Sequence, residues 1–161
     1  MAARIPLVIV NGQVEQLQAG DSITVASAQY SSDVFTNGHA SDPLVICTPV
    51  FMKGANEADF AQANALATSG VVGLWLDAST AAGDTGICVL SGRMVATTGQ
   101  WDAVAGTTGG LAPGVLYFLS PTTKGKITSV APTAVGQVVM PIGRAISPTD
   151  MELLDNRTIL L

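Results

Sequence analysis

The chain has 161 residues, of which 48% are hydrophobic and 12% are charged, a composition that can fill one core and excludes a mostly disordered chain. Seven Lys and Arg against twelve Asp and Glu give a net charge of −5, and no two basic residues are adjacent, so we expect no nucleic-acid partner. The longest strongly apolar run, Ile5 to Val10, is too short to cross a bilayer and lacks the length and cleavage site of a signal peptide. We therefore expect no membrane partner and infer that some apolar surface meets other subunits.

Residues 1–25 are predicted to form an extended N-terminal arm. Its apolar run leads into Asn11-Gly12, a dipeptide typical of two-residue hairpin turns, and a second turn is indicated at Ala19-Gly20-Asp21. Residues 26–43 are rich in Ser, Asn, Asp and Gly, and this composition predicts a polar linker between the arm and the rest of the chain.

Residues 44–161 are predicted to form one β-rich domain. Leu44 to Phe51 is a strand-like run that Pro49 interrupts, which indicates a sheet edge or a bulge. The one stretch with helical composition is 55–68, where Asn56 is the candidate N-cap of a short helix.

The rest of the sequence alternates short apolar runs with turn signals. Short strands at this spacing predict a mainly β fold, a compact antiparallel barrel or sandwich with one short helix and the extended arm. Trp101 is expected in a short helical turn that plugs one end of the sheet. The predicted core includes Trp75, Tyr117, Phe118, Val138 and Ile142. The predicted strands are 71–77, 86–90, 93–97, 115–119, 126–130, 137–146 and 150–154.

The residues that commonly perform catalysis are scattered along the chain. The single histidine, His39, lies in a polar segment, which favours a solvated loop residue over a metal ligand. A glycosidase needs two facing carboxylates, but the aspartates lie beside turn residues, where a side chain that bonds nearby backbone is favoured. We therefore expect no enzyme activity, no cofactor and no metal. The aspartates considered are Asp77, Asp84, Asp102 and Asp150.

Glycines and cysteines receive structural interpretations. The glycine-rich stretch 105–114 lacks the Gly-Lys-Ser/Thr ending of a phosphate-binding loop and is predicted to be a turn. Cys47 and Cys88 each lie in an apolar stretch, which favours buried core thiols, while a single bridge between them remains open as the alternative.

Two blocks of the sequence resemble segments of phage virion proteins. The first, RIPLVIVNGQVEQLQAGDSI at 4–23, is similar to a segment of head-fibre and tail-fibre proteins, in which a basic residue and PLVxVNGQ precede LxxGD. The second, at 95–153, resembles a module of capsid decoration (cement), head-fibre and fibre-associated proteins. The features that carry this second likeness are Trp101-Asp102, Thr108 to Leu111, Pro113-Gly114, Tyr117, Leu119-Ser120, Gly125, Ala131 to Thr133, and Gly143 to Ala145.

The resemblance implies a phage structural protein without catalysis. Its implied partner is the major capsid protein. The composition, 48% hydrophobic and 12% charged residues without a membrane span, predicts in addition a homo-oligomer, with a trimer expected before a dimer. Its implied location is the outer capsid surface of the virion, after synthesis in the host cytoplasm. Tail fibres with these blocks are usually far longer, and this chain has no coiled-coil heptads. Capsid decoration is therefore favoured over the alternative, a tail-fibre or baseplate protein that contacts the host surface.

The arm is expected to be the attachment device. An apolar strand beyond a polar linker leaves backbone groups unpaired, and pairing with a sheet edge of the capsid protein or of a neighbouring copy satisfies them. The alternative is that Leu7 and Ile9 fold back as an edge strand of the same barrel. The candidate binding residues are Arg4, Ile5, Pro6, Leu7, Val8, Ile9, Val10, Val14 and Leu17.

Overall fold

A computed structural model of the chain describes residues 7–10, 13–16, 30–154 and 159–161. Most of its strands have two to six residues. The elements in chain order are β1 (Leu7–Val10), β2 (Gln13–Gln16), β3 (Tyr30–Asn37), β4 (Leu44–Val45), β5 (Pro49–Gly54), β6 (Glu57–Phe60), α1 (Leu66–Ser69), β7 (Val71–Trp75), β8 (Ser79–Thr80), β9 (Thr85–Val95), α2 (Thr98–Ala105), β10 (Leu116–Leu119), β11 (Ile127–Thr128), β12 (Val138–Val139), β13 (Pro141–Ser147), β14 (Asp150–Leu153) and β15 (Ile159–Leu160).

Nine of these strands form one sheet that closes partly on itself. The order is β11-β10-β13-β14-β9-β3-β6-β5-β7, and β7 also pairs with β9, so the five strands from β9 to β7 form a closed barrel. Every pairing in this sheet is antiparallel except that of β3 with β6. Closure leaves the barrel without a full-length open edge. The predicted mainly β fold with an antiparallel barrel is therefore confirmed.

Strand β9 joins the barrel to the rest of the sheet. It is one strand of 11 residues, whereas the sequence predicted two strands separated by a turn at Ser91-Gly92. That prediction was wrong because Gly92, with φ 91°, lies within the strand, and the register with β3 shifts next to it, between Ser31 and Ser32. The shift leaves Leu90 of β9 without a partner on β3, and such a bulge bends a strand without ending it.

The helix predicted over 55–68 is wrong. Gly54 pairs with Glu57 across a turn that contains Asn56 at φ 58°, so this stretch forms the hairpin of β5 and β6. The alternation of side chains favours a strand over a helix here, because Ala58 and Phe60 pack in the barrel cluster while Glu57 is exposed. A period of two outweighs the weak helical propensity of the alanines. Only Leu66–Ser69, α1, is helical there.

The predicted polar linker over 26–43 is wrong for its middle part. Residues 30–37 form β3, which pairs with β9 along most of its length. The segment is polar because its first five residues are exposed and because buried Asn37 donates to the carbonyls of Thr80 and Asp42, at 2.9 and 3.0 Å. The part of the linker before residue 30 lies outside the described residues.

Two other sequence predictions are confirmed. Pro49 is the first residue of β5, and the register of β5 with β7 shifts between Val50 and Phe51, as expected for a bulge. Trp101 lies fully buried in α2, and its indole N–H donates to the carbonyl of Thr149 at 2.9 Å.

The core consists of two clusters. Trp75 packs with four other buried residues in the barrel cluster, and a larger cluster joins α2, the strands from β10 to β14, and residues of β7 and β9. Trp75, Tyr117, Val138 and Ile142 are buried, as predicted. Phe118 is only half-buried, so that prediction was wrong. Strand alternation turns Tyr117 and Leu119 inward and Phe118 to the opposite face.

Candidate interaction surfaces

The predicted binding arm forms a hairpin. β1 and β2 pair antiparallel, with Val10 opposite Gln13 and Ile9 opposite Val14, which confirms the predicted hairpin. This pair is a two-stranded sheet separate from the nine-stranded one. The structure thus places Leu7, Val8, Ile9, Val10 and Val14 in one hairpin. Of the predicted binding residues, Arg4, Ile5, Pro6 and Leu17 lie outside the described residues.

The first half of β3 is an exposed strand that the sequence did not predict. Tyr30 to Val34 are all exposed, and Val34 lies opposite Ile87 of β9 on the outer surface. On the other side of β3, β6 pairs only with Thr36 and Asn37. The six residues of β3 before Thr36 therefore have no ladder partner on this side among the described strands, and the first five of them are exposed. Period-two alternation of apolar residues, the usual sequence signal for a strand, is absent here because neither face of this half-strand is covered.

A second exposed surface lies near the last described residues. Val135 is 95% exposed, and Ile159, Leu160 and Leu161 are each about half exposed. The backbone of Leu161 bonds to both Gly136 and Gln137, which holds these apolar side chains beside the turn that contains Val135. Apolar residues grouped in this way are typical of a contact surface.

His39 joins two loops. Its Nδ1 accepts the N–H of Asp42 at 2.9 Å, and the Nζ of Lys124 lies 2.8 Å from its Nε2. The ring packs edge-on against Phe60, with centroids 5.0 Å apart, and its side chain is only 18% exposed. The solvated loop histidine expected from the sequence is therefore wrong. His39 helps to tie the loop after β3 to the loop before β11.

The carboxylate of Asp42 completes this cluster. It accepts a hydrogen bond from Lys124 at 2.9 Å, and this bond, followed by one from Ser41, lowers the pKa of Asp42. The Lys124 ammonium also lies 4.9 Å from the centre of the Phe60 ring. The cluster is an electrostatic link on the surface, of the kind that contributes little to stability because solvent screens it. No group of three or more His, Cys, Asp or Glu able to hold a metal occurs among the described residues.

Three of the aspartates considered for catalysis bond to turns or to the adjacent strand. Asp102 accepts the hydroxyl of Thr107 at 2.7 Å and the N–H groups of Gly109 and Gly110. These bonds lower the pKa of Asp102, the Thr107 bond most of all. Asp102 therefore holds the glycine-rich turn, whose Gly109 and Gly110 both have positive φ. The prediction that 105–114 is a turn is confirmed.

Asp150 has a similar structural environment. It lies at the start of β14, almost fully buried, and accepts hydrogen bonds from the hydroxyls of Ser147 and Thr149 and from Arg93, whose guanidinium lies 2.8 Å away. The pKa of Asp150 is lowered, first by the Ser147 bond. Asp77 accepts the N–H of Ile87 at 2.9 Å, which links the end of β7 to β9. A carboxylate kept ionised by such bonds is a poor general acid.

Both cysteines are free and fully buried. Burial raises the pKa of Cys47 to about 12, and burial together with the charge of Asp33 raises the pKa of Cys88 to about 12. The two thiols belong to different core clusters. The prediction of buried core thiols is confirmed, and no bridge joins them.

Two shallow grooves run beside the end of α2. One, of about 350 Å³, lies between α2 and β11, and the other, of about 280 Å³, lies between the loops on either side of β11. Ser120 and Thr128 line both. The single ionisable side chain in either lining is Lys126, whose Nζ already donates to the carbonyl of Ala103 at 2.6 Å. Neither groove therefore brings together an acid, a base or a nucleophile.

Searches against known protein families, curated proteins and solved structures give no match. Among the described residues, neither helix has the length and apolar composition that a bilayer-spanning helix requires.

Proposed function

We propose that the chain is a non-enzymatic structural subunit of a bacteriophage virion, a capsid decoration protein of the cement or head-fibre type. It binds the outer surface of the capsid, contacts the major capsid protein and copies of itself, and stabilises the shell. The observation that carries the proposal is the separation of the β1–β2 hairpin from the nine-stranded sheet. A strand pair outside the main sheet keeps its outer edges available for another chain.

The barrel suits a subunit of this kind. A decoration protein adds contacts across the boundaries of a shell, and it needs a rigid body that holds its contact surfaces at fixed positions. Its symmetric repetition multiplies a modest interface, because each further contact in a ring forms at high effective concentration. The closed strand order and the two packed clusters supply that rigidity. The exposed apolar groups of β3 and of the last residues supply contact area.

The likeness of residues 4–23 and 95–153 to phage virion proteins supports the same assignment. Both blocks have structural counterparts. The first includes the β1–β2 hairpin, and the second includes α2, the Asp102 turn and the strands from β10 to β14.

Particle binding tests the proposal. Purified full-length chain is mixed with virions of the phage that encodes it after removal of the native copies, and pelleting measures attachment. The full-length chain is expected to pellet with the particles, and a chain that lacks residues 1–20 is expected to stay folded and remain in the supernatant. Equal pelleting of both chains would overturn the role of the arm. Electron cryomicroscopy of the virion that placed the chain on the tail would replace capsid decoration with the tail-fibre or baseplate alternative.

A further inference from the structure

The first part of β3 has an edge that no other described strand covers. The turn of the β5–β6 hairpin reaches β3 at Thr36, whose N–H donates to the carbonyl of Asn56 at 2.8 Å. Before Thr36, β3 extends past the end of this hairpin, and its one partner among the described strands is β9. Residues Tyr30 to Val34 are exposed over this length.

The free backbone groups of this edge point away from the barrel strand β9. Asn37 donates its N–H toward the β9 side, to the carbonyl of Asp84, whereas Thr36 donates to the opposite side. Because successive N–H groups of a strand alternate in direction, those of Ser32 and Val34 point to the same side as that of Thr36. The N–H of Val34 bonds at 2.8 Å to the exposed carboxylate of the preceding Asp33. This local bond occupies the donor in place of a neighbouring strand and is replaceable, because Asp33 lies in water.

The β1 strand of a second copy fits this edge. β1 has four residues in strand conformation, and the free edge has five. Strand β1 contains no charged residue and the basic Arg4 precedes it in the sequence, whereas the acidic Glu15 belongs to β2, so the sequence next to β1 supplies a positive charge for the exposed Asp33 of another copy. Among the described residues, the chain's own β1–β2 pair bonds to no strand of the nine-stranded sheet.

We propose that the β3 edge at Tyr30–Val34 receives strand β1 of a second copy of this chain. Each copy then gives one arm and accepts another, a head-to-tail contact that closes into a ring when the rotation between copies allows it. A ring of three matches the expected trimer. This inference uses the docking role of the arm from the proposed function, but it concerns contacts between copies in solution and needs no particle.

Disulfide trapping tests the pairing. A chain with Val8→Cys is mixed with a chain carrying Ser32→Cys under oxidising conditions, and non-reducing gels show the products. Both native thiols are fully buried and do not interfere. The mixture is expected to give a disulfide-linked dimer. A chain with Val135→Cys in place of Ser32→Cys is the matched control, since Val135 is 95% exposed but belongs to another surface, and it is expected to give none.

The double variant with Val8→Cys and Ser32→Cys shows whether the arm that reaches β3 comes from the same chain or from another copy. A series of linked oligomers supports exchange between copies. A linked monomer would show that the chain's own arm reaches β3 and would overturn the proposal. Absence of any linkage in the mixture would overturn it as well.

A second variant addresses the backbone directly. Val34→Pro removes the edge N–H and leaves the pairing with β9 intact, because that N–H points away from β9. Light scattering at tens of micromolar is expected to show a drop from about three chain masses to one mass of 16.4 kDa, with an unchanged circular dichroism spectrum. An unchanged oligomer in a folded Val34→Pro chain would contradict the edge contact.

Particle pelleting separates this inference from the proposed function. If the trapped dimer forms while deletion of residues 1–20 leaves attachment unchanged, the edge contact stands and the attachment role of the arm fails. If no linkage forms while the deletion abolishes attachment, the edge contact fails and the attachment role stands.

Discussion

Replacement of Trp75 by alanine removes one of the largest buried side chains of the barrel. The ring is 0% exposed, its Nε1 donates to the Thr80 hydroxyl at 2.9 Å, and a Cβ built on Gly86 would lie 2.4 Å from the ring. A buried tryptophan removes roughly 150–250 Å² from water, which at about 25 cal/mol per Å² gives an upper bound of roughly 4–6 kcal/mol. Because an extended-chain reference overstates this burial, we expect Trp75→Ala to lower the free energy of unfolding by about 3–5 kcal/mol.

Urea unfolding followed by circular dichroism measures this loss, and Trp101 then provides a single-tryptophan fluorescence signal. Trp75→Phe retains much of the ring but leaves the Thr80 hydroxyl without its donor, so a smaller loss of about 1–3 kcal/mol is expected. Val135→Ala is the control, because that side chain is 95% exposed, and its effect is expected within about 0.5 kcal/mol. A loss below about 1 kcal/mol for Trp75→Ala, with an unchanged m-value, would refute the packed barrel interior.

Three further predictions concern backbone approach, acid stability and thiol access. Gly73→Ala is expected to lower the free energy of unfolding by about 1–3 kcal/mol, since the new Cβ would lie 2.2 Å from a β9 carbonyl oxygen. Gly99→Ala in α2, where the new Cβ meets open space, is expected to raise it by about 0.4–1 kcal/mol. Equal effects of the two variants in urea unfolding would contradict the close approach of β7 to β9. Asp102→Asn is expected to be less stable than the original chain above pH 3.8, the ordinary pKa of the carboxyl, because the folded-state pKa of Asp102 is lowered. The difference in stability should shrink as the pH falls through that lowered pKa. A difference that does not depend on pH would show that the charge of Asp102 is not its cause. Cys47 and Cys88 are expected to resist a thiol reagent at pH 8 in the folded chain and to react fully in guanidinium, and rapid labelling without denaturant would show that they are accessible.

The fold class could be predicted because apolar runs and turn signals alternate over most of the chain. The buried thiols and the Trp101 helix followed from local composition. The hairpin at Asn56 did not, because alanine-rich sequence favours a helix while Ala58 and Phe60 alternate at the period of a strand. A weak local preference was outweighed by tertiary pairing, a contribution that a single sequence does not display.

The candidate contact between the β1 arm and β3 could also be predicted only in part. Apolar residues marked the β1 arm, but its acceptor edge in β3 has none of the alternation that identifies a half-buried strand. Which residues of β3 form this edge depends on where the β5–β6 hairpin stops, at Thr36. The position of the hairpin depends in turn on pairing between distant parts of the chain. His39 was likewise misjudged, because Lys124, 85 positions away, supplies one of its contacts.

Strand β9 belongs to two halves of the sheet at once. It pairs with β3 and β7 in the barrel and with β14 in the remaining strands. Both halves lose a neighbouring strand if β9 leaves, so the slowest amide exchange in the described body is expected along this strand. The two halves are therefore expected to lose their packing together, because either half can separate from the other only if β9 leaves one of them.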